Sequence, residues 1–232
     1  MLPLIRAHDP PEHFPAVDQA LDEPNGLLAA GGDLSPSRLL AAYRRGIFPW
    51  YSDGDPILWW SPDPRTVFKV GALHIARRLA RSLRQHNYRI SINEAFADVI
   101  RACAEPRSNA RHGETGTWLT AEMQQAYIRL HELGHAESVE VWDEDRLVGG
   151  LYGLPIGHVF CAESMFSRVR DASKIALVYL DHRLQQRNFR WIDAQVGSGH
   201  IYRMGAIDIP RAELLSYLST KPGTGPPDTA ES

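Results

Sequence analysis

The sequence is poor in cysteine and has no long apolar run, and both absences narrow the kinds of protein it can encode. Its two cysteines, Cys103 and Cys161, provide neither a disulfide framework nor a cysteine metal cluster, which fits a reducing compartment. The longest charge-free apolar run, from Leu147 to Ala162, is broken by glycine and proline and is shorter than the ~20 residues of a membrane helix. The N-terminal MLPLIRAHDPPEHF lacks the apolar centre of a signal peptide. We therefore expect a cytoplasmic protein with no membrane partner.

Acidic residues are also missing, from the window between Asp63 and Glu94, although the whole chain has a net charge of −3. A phosphate backbone responds to local charge rather than to the average. The window holds seven basic residues and thus a local charge of +7: Arg65, Lys69, Arg77, Arg78, Arg81, Arg84 and Arg89.

The basic window predicts an amphipathic helix from Leu73 to Gln85. At 100° per residue, Ile75, Leu79 and Leu83 fall on one narrow arc. The opposite side carries four arginines: Arg77, Arg78, Arg81 and Arg84. A merely solvated face usually mixes acids with bases, and that alternative stays open here. Because no acid is interleaved, we interpret this face as a surface that contacts nucleic-acid phosphates.

Hydrophobic periodicity predicts an α+β protein, because helix-period runs alternate with short strand-like runs. Predicted helices cover 37–45, 73–85, 94–104, 120–133, 171–187 and 209–218, and predicted strands cover 88–92, 138–142, 147–152, 158–162 and 189–196. The three central strands form a meander. This order is that of an acetyltransferase-like (GNAT-type) mixed sheet with flanking helices.

Composition divides the chain into three parts. Residues 1–62 are rich in aromatics and proline and are predicted to form a small N-terminal domain, 63–220 the catalytic domain, and 221–232 a disordered tail. In the first part, Trp50 lies between Pro49 and Tyr51 and is a candidate stacking surface for an unpaired base. Trp59 and Trp60 fit either a stacking role or a small aromatic core.

A short metal-site pattern occurs at His131-Glu132-Leu133-Gly134-His135, which matches the H-E-x-x-H of zinc peptidases. That site needs both histidines inside one continuing helix. Gly134 is a poor interior residue and a good helix end, and an alternating strand pattern follows at once. We therefore expect structural histidines and no bound metal, with a zinc peptidase as an alternative.

A coenzyme-A-dependent acyltransferase is a further alternative. In the acetyltransferase fold, a glycine-rich loop holds the pyrophosphate at a helix start. The corresponding loop from Ser167 to Lys174 contains no glycine, so its amides approach a pyrophosphate less closely. Its Arg168, Arg170 and Lys174 are candidates either for phosphate contacts or for pairing with nearby acids. No Ser-His-Asp or Cys-His set is evident, and Cys161 is predicted to be a core residue.

Several long motifs, in a fixed order over most of residues 20–215, resemble the leucyl/phenylalanyl-tRNA–protein transferases. They are PNGLLAAGGDLSPSRLL, YRRGIFPWYSDGDPILWWSPDPR, GTWLT, HELGHAESVEVW, LVGGLYG, ESMFSR followed by DASK, and WIDAQV. The resemblance implies an enzyme that moves leucine or phenylalanine, with methionine as a further donor, from aminoacyl-tRNA to a protein with an N-terminal Lys or Arg. It also implies that the product is marked for degradation. We expect no cofactor and a monomeric enzyme. A non-catalytic tRNA-binding module is the alternative.

The candidate catalytic residues are Asp193 and Gln195 of WIDAQV, together with Glu163. Residues two apart on a strand share a face, so we expect the Asp193 carboxylate to hold the incoming amine and the Gln195 amide to donate to the oxyanion. The resemblance places both residues at the reaction centre. Glu163 is the second acid and the candidate partner of a basic N-terminal residue. A solvated strand residue is the alternative for Asp193.

The resemblance also implies the donor-binding residues. It places the aminoacyl pocket at Leu151, Met165, Leu180 and Ile192, with Trp50 and Trp118 near the terminal adenosine. Composition alone is consistent with the alternative that these aliphatic residues belong to an ordinary hydrophobic core. This sequence differs from other members of that family at two of these positions: Leu151 replaces a methionine and Leu180 replaces a phenylalanine.

Overall fold

Two β-sheets organise the chain, of which the computed structural model describes residues 2–85, 87–105 and 119–219. The predicted loop 106–116, Trp118 and the predicted tail 221–232 lie outside these ranges. The smaller sheet has the strand order β1-β2-β4-β3, from β1 (Leu4–Ile5), β2 (Leu27–Gly31), β3 (Phe48–Pro49) and β4 (Leu58–Trp60). Helix α1 (Pro36–Tyr43) begins as predicted, with Ser35 accepting the Arg38 N–H and Pro36 in the first turn.

The larger sheet has seven strands in the order β11-β5-β10-β9-β8-β7-β6. Its strands are β5 (Arg65–Lys69), β6 (Arg89–Ile92), β7 (Glu137–Asp143), β8 (Arg146–Ile156), β9 (Val159–Ser167), β10 (Trp191–Gln195) and β11 (Ile207–Ile209). Among these described strands only the β9–β10 pair is parallel, so the sheet is mixed. The predicted meander is confirmed as β7-β8-β9, with longer strands than the sequence indicated.

Six helices accompany this sheet in the described part of the chain. They are α2 (Arg77–Gln85), α3 (Phe96–Ala104), α4 (Ala121–Glu132), α5 (Ala172–Gln186), α6 (Gly199–Tyr202) and α7 (Arg211–Leu218). Helix α4 begins with Thr120 accepting the Met123 N–H and ends at Glu132. Gly134 then adopts a φ of +79°, so the predicted helix end is confirmed.

The structure corrects three of the sequence-based assignments. Helix α2 starts at Arg77 rather than at Leu73, and only Leu79 of its expected apolar arc is buried, while Ile75 and Leu83 are 41% and 37% exposed. Strand β5 was not predicted. Ile209, expected in the last helix, is instead the end of β11, and Pro210 separates it from α7.

One hydrophobic core joins the two sheets. Leu28 and Trp59 of the small sheet belong to the same buried cluster as Tyr152 and Trp191 of the large sheet. A second cluster lies under α5, where a Cβ at Gly149 would stand 2.4 Å from the Ala172 Cβ, so glycine lets the helix lie flush on β8. The predicted α+β class, a mixed sheet with flanking helices beside a small N-terminal sheet, is confirmed. The division at residue 62 stays a prediction. No described helix has the length and apolar character needed to span a membrane.

A candidate active site where two strands diverge

The candidate site lies where β9 and β10 separate. Their parallel pairing ends at Cys161 opposite Asp193. Beyond that point β9 continues along β8, with Glu163 as an extra residue, and β10 continues along β5 with its register shifted between Asp193 and Gln195. Such β-bulges bend strands and are frequent beside active sites. The two bulges place Glu163 and Gln195 at the opening between the diverging strands.

Gln195 connects the two sides of this opening. Its side-chain Nε2 donates to Glu163 Oε1 at 2.9 Å, and its backbone N–H donates to Asp193 Oδ1, also at 2.9 Å. The residue has a φ of +61°, in the left-handed region that non-glycine residues rarely adopt. Simple alternation along the strand, which the sequence suggested for Asp193 and Gln195, is therefore replaced by a bulge. The aspartate supports the glutamine through the backbone.

Glu163 is held in a half-buried position by hydroxyl and amide donors. Tyr127 of α4 donates to Glu163 Oε2 at 2.9 Å, and Tyr43 of α1 lies 2.6 Å from the Tyr127 hydroxyl. Burial raises the pKa of Glu163 to about 7, although the tyrosine hydrogen bonds favour the ionised form. Burial also raises the pKa of both tyrosines well above the usual value, so each remains a neutral hydroxyl. The site thus contains a carboxyl group that changes charge near neutral pH.

Asp193 forms a buried ion pair with Arg65 of β5. Arg65 Nε donates to Asp193 Oδ1 at 2.8 Å, and Nη2 donates to Oδ2 at 2.7 Å. Asp193 is 0% exposed, so the alternative of a solvated strand residue is wrong. Its carboxylate faces a guanidinium and lies away from the solvent side, from which an incoming amine would approach. Arg65, counted with the basic window in the sequence, is buried and contributes nothing to a phosphate-binding surface.

The four predicted pocket residues lie together in one apolar cluster. Leu151, Leu180 and Ile192 are buried, while Met165 is partly accessible and packs against them. Leu151 of β8 and Met165 of β9 are direct cross-strand neighbours. The cluster packs under α5, whereas Tyr43 and Tyr127 belong to the core on the other side of the sheet. The structure therefore brings the predicted set together, from β8, β9, β10 and α5, on one face of the sheet.

The three tryptophans of the aromatic segment differ in exposure: Trp50 is exposed, Trp60 is half-buried and Trp59 is buried. Trp50 is 45% exposed, and its ring centroid lies 5.5 Å from that of the half-buried Trp60. Trp60 Nε1 donates to the Trp50 carbonyl at 2.6 Å and fixes this pair. Trp59 is fully buried and donates to the Gly31 carbonyl at 2.8 Å, so it is a core residue. Trp118, the other predicted adenosine contact, lies outside the described residues.

All four arginines of α2, Arg77, Arg78, Arg81 and Arg84, are exposed. Arg78 lies 3.4 Å from Asp171, so an acid from a distant turn partly compensates this surface. Lys174, predicted in the loop but found in the first turn of α5, also pairs with Asp171 at 2.9 Å, and Arg168 pairs with Glu105 at 2.6 Å. Acid pairing, one of the two alternatives for the loop cations, thus holds for Arg168 and Lys174.

The H-E-x-x-H histidines serve local structure. His131 Nδ1 lies 2.9 Å from the Ala136 carbonyl oxygen, and its ring stacks on Phe96 with centroids 4.1 Å apart. His135 lies beyond the end of α4, so the two imidazoles do not share a helical face. Within the described ranges, no three His, Cys, Asp or Glu side chains are grouped to hold a metal ion.

Sequence reasoning missed the residues that support the site, namely Arg65, Tyr43 and Tyr127. The available signal was local: Arg65 closes a run of prolines and aspartates, and Tyr127 faces inward on a helix with a clear apolar period. Neither signal identifies the residue to which the Arg65 or Tyr127 side chain binds. Asp193 lies 128 residues from Arg65 along the chain, so only the fold brings them together.

Two family models match the chain along its length. Residues 67–219 match the leucyl/phenylalanyl-tRNA protein transferase model, and residues 32–63 match the model of that family's N-terminal domain. Curated relatives agree. The chain is 55% identical over 215 residues to the transferase of this name from Aromatoleum aromaticum, covering 92% of this chain and 89% of that protein. It is 56% identical over 206 residues to that of Pseudomonas syringae pv. syringae, covering 89% and 88%.

These matches define an enzyme of the aminoacyltransferase class. The chain belongs to the leucyl/phenylalanyl-tRNA–protein transferase family. Among solved structures, a GCN5-related N-acetyltransferase from Kribbella flavida aligns with a TM-score of 0.37 and 12% identity, covering 72% of this chain and 58% of that one.

Proposed function

We propose that this enzyme transfers a leucyl or phenylalanyl group from aminoacyl-tRNA to the α-amino group of a protein that begins with Lys or Arg, with methionine as a further donor. The observation that carries the proposal is the Glu163–Gln195 pair at the opening between β9 and β10. It sets a carboxyl group and an amide donor on β9 and β10, the strands that also carry Met165 and Ile192 of the apolar cluster.

The reaction needs positioning rather than a covalent enzyme intermediate, because the aminoacyl ester is already activated. The acceptor amine attacks the ester carbonyl, a peptide bond forms, and the tRNA ribose oxygen leaves with a proton. An amide has two N–H donors, and one of those of Gln195 binds Glu163. The other is available to the developing oxyanion. Ionised Glu163 supplies the counter-charge for the side chain of an N-terminal Lys or Arg.

Donor binding divides among three surfaces. The exposed Trp50 ring, with Trp118, stacks on the terminal adenosine, and each such contact contributes ~1–3 kcal/mol. The apolar cluster of Leu151, Met165, Leu180 and Ile192 receives the aminoacyl side chain. The arginines of α2 contact tRNA phosphates without reading sequence. In this assignment, Asp193 supports the reaction through Gln195.

The decisive experiment mixes the purified protein with Leu-tRNA and a peptide that begins with Arg, and weighs the peptide. A mass increase of one leucyl residue, absent with uncharged tRNA and with an Ala-starting peptide, supports the proposal. If charged tRNA binds but the peptide mass stays constant, the chain is a tRNA-binding module instead. A parallel reaction with a chelator tests the zinc alternative: transfer should persist, and loss of activity that zinc restores would favour a metal enzyme.

A further inference from the structure

We propose that Arg65 is a positioning residue of the transfer reaction, which holds Gln195 in place on Glu163 by way of Asp193. This inference rests on the proposed function. Arg65 touches no predicted substrate group, so its role is indirect. A series of hydrogen bonds connects Arg65 on β5 to Asp193 and Gln195 on β10, and Gln195 to Glu163 on β9.

Each hydrogen bond in this series shares a residue with the next one. The Arg65 guanidinium fixes both oxygens of Asp193, at 2.8 Å and 2.7 Å. One of those oxygens accepts the backbone N–H of Gln195 at 2.9 Å, at a residue whose φ of +61° needs support from its surroundings. The Gln195 amide then donates to Glu163 at 2.9 Å. Loss of Arg65 therefore releases the bulge, and with it the direction of the Gln195 amide.

The other contacts of Arg65 reach the segment that precedes Trp50. Its Nη1 donates to the Gly46 carbonyl at 3.0 Å, and its guanidinium lies 4.8 Å from the centre of the Phe48 ring. Both belong to the segment that leads to Trp50, the exposed ring proposed to meet the donor adenosine. Arg65 thus joins the donor-binding segment to the Glu163–Gln195 pair.

The charge of Arg65 also acts on Glu163. Arg65 lowers the pKa of Glu163, and Asp193 raises it. Opposite effects of the two partners provide a readout that a loss of packing would not produce. The titratable groups facing Glu163 from the surrounding elements are Tyr43, Tyr127, Tyr152, Cys161, Arg65 and Asp193.

The test compares single-turnover transfer from pre-bound Leu-tRNA to an Arg-starting peptide across roughly pH 5–9, a range centred on the Glu163 pKa of about 7. Arg65→Met is expected to slow transfer at least tenfold, to leave tRNA affinity within about threefold, and to move the apparent pKa of the profile upward. Asp193→Asn is expected to slow transfer similarly and to move that pKa downward. Arg65→Lys keeps the positive charge but loses the bidentate hydrogen bonds to Asp193. Compared with Arg65→Met, its apparent pKa should therefore return closer to the wild-type value than its transfer rate does.

Two further variants separate this role from a loss of stability. In Arg65→Met/Asp193→Met no unpaired charge is buried, so the protein should fold. It should still transfer slowly, because Gln195 has lost its support. Arg38→Met is the matched control: Arg38 is also buried, pairs with Asp33 at 3.1 Å and donates to three backbone carbonyls of residues 7–10, none of which contributes to the site. It should lower thermal stability without moving the pH profile.

The outcomes distinguish this inference from the proposed function. A wild-type protein that fails to transfer leucine overturns the proposed function itself. A wild-type protein that transfers, together with Arg65→Met and double variants that retain its rate and pH profile, overturns the role of Arg65 alone. That role is also overturned if the Arg38→Met control loses rate and shifts its profile to the same extent.

Discussion

At the scale of the residue, Glu163 is a carboxyl group whose pKa is raised by burial. Its pKa of about 7 lies above the ordinary value of 4.5, so between these values the folded protein binds more protons than the unfolded chain. Its contribution to stability is therefore fully present below pH 4.5 and is lost as the pH rises through about 7. Glu163→Gln should raise the melting temperature at about pH 8 and change it little near pH 4.5. Equal differences at both pH values would contradict this assignment.

The same carboxyl group should set how acceptor choice depends on pH. Ionised Glu163 attracts a cationic N-terminal side chain, and protonation below about pH 7 removes that attraction. We expect the KM for an Arg-starting peptide to rise as the pH falls from about 8 to about 6, relative to that of a norleucine-starting peptide. This comparison cancels the titration of the α-amine, whose ordinary pKa is ~7.7–8.0. In Glu163→Gln the ratio of the two KM values should become flat with pH. A ratio that is already flat in the wild type would remove Glu163 from acceptor recognition.

At the scale of the element, helix α2 presents three arginines, Arg77, Arg81 and Arg84, beside Arg78, which pairs with Asp171. Replacing the three with Gln should weaken binding of all tRNAs alike, because phosphate contacts carry no sequence information. The slope of log affinity against log salt should become shallower by roughly 0.7–0.9 for each phosphate that is no longer neutralised.

A matched control for that experiment comes from three other exposed arginines. Arg101, Arg129 and Arg146 each lie within hydrogen-bond reach of an acid on their own helix or turn. Their triple replacement by Gln removes the same formal charge from other surfaces, and it should leave the salt dependence close to that of the wild type. If the two triple variants behave alike, the α2 face is merely solvated.

Elements with a clear local signal were predictable, and elements defined by distant partners were not. Ser35 and Thr120 mark helix starts, Gly134 marks a helix end, and the alternation of the meander is strong, so α1, α4 and β7-β9 follow from the sequence. Strand β5 follows a run of prolines and aspartates, and its five residues give little periodicity. The bulges at Glu163 and Gln195 depend on the pairing of neighbouring strands, which no local pattern specifies.

At the scale of the whole molecule, the sequence predicted which residues gather but not how they support one another. The motifs named Glu163, Asp193 and Gln195, and the structure places them in one hydrogen-bonded network. What remained hidden is the support from Arg65 and Tyr43, which come from segments remote in sequence. Arg65 reaches Asp193 through the pairing of β5 with β10 inside the large sheet, whereas Tyr43 reaches Tyr127 only when the N-terminal part packs against that sheet, so the site depends on both parts of the fold.

That dependence predicts that the two sheets unfold together. Helix α7 contacts both: Arg211 Nη1 donates to the Ser61 carbonyl at 2.5 Å, while the Tyr217 carbonyl accepts the His158 N–H at 2.9 Å. Leu214 of α7 is fully buried in the core shared by Trp59 and Trp191. We expect one cooperative transition, in which the calorimetric and van't Hoff enthalpies agree.

Leu214→Ala should lower the stability of the whole molecule by about 2–5 kcal/mol, the usual cost of a cavity in a core. It should shift the far-UV circular dichroism and tryptophan fluorescence transitions to the same lower temperature, because both sheets lose packing with this core. Leu133→Ala is a suitable control, since Leu133 is exposed at the end of α4 and should change the transition little. Two separate transitions in Leu214→Ala, only one of them displaced, would show that the sheets fold independently and that α7 stabilises just one.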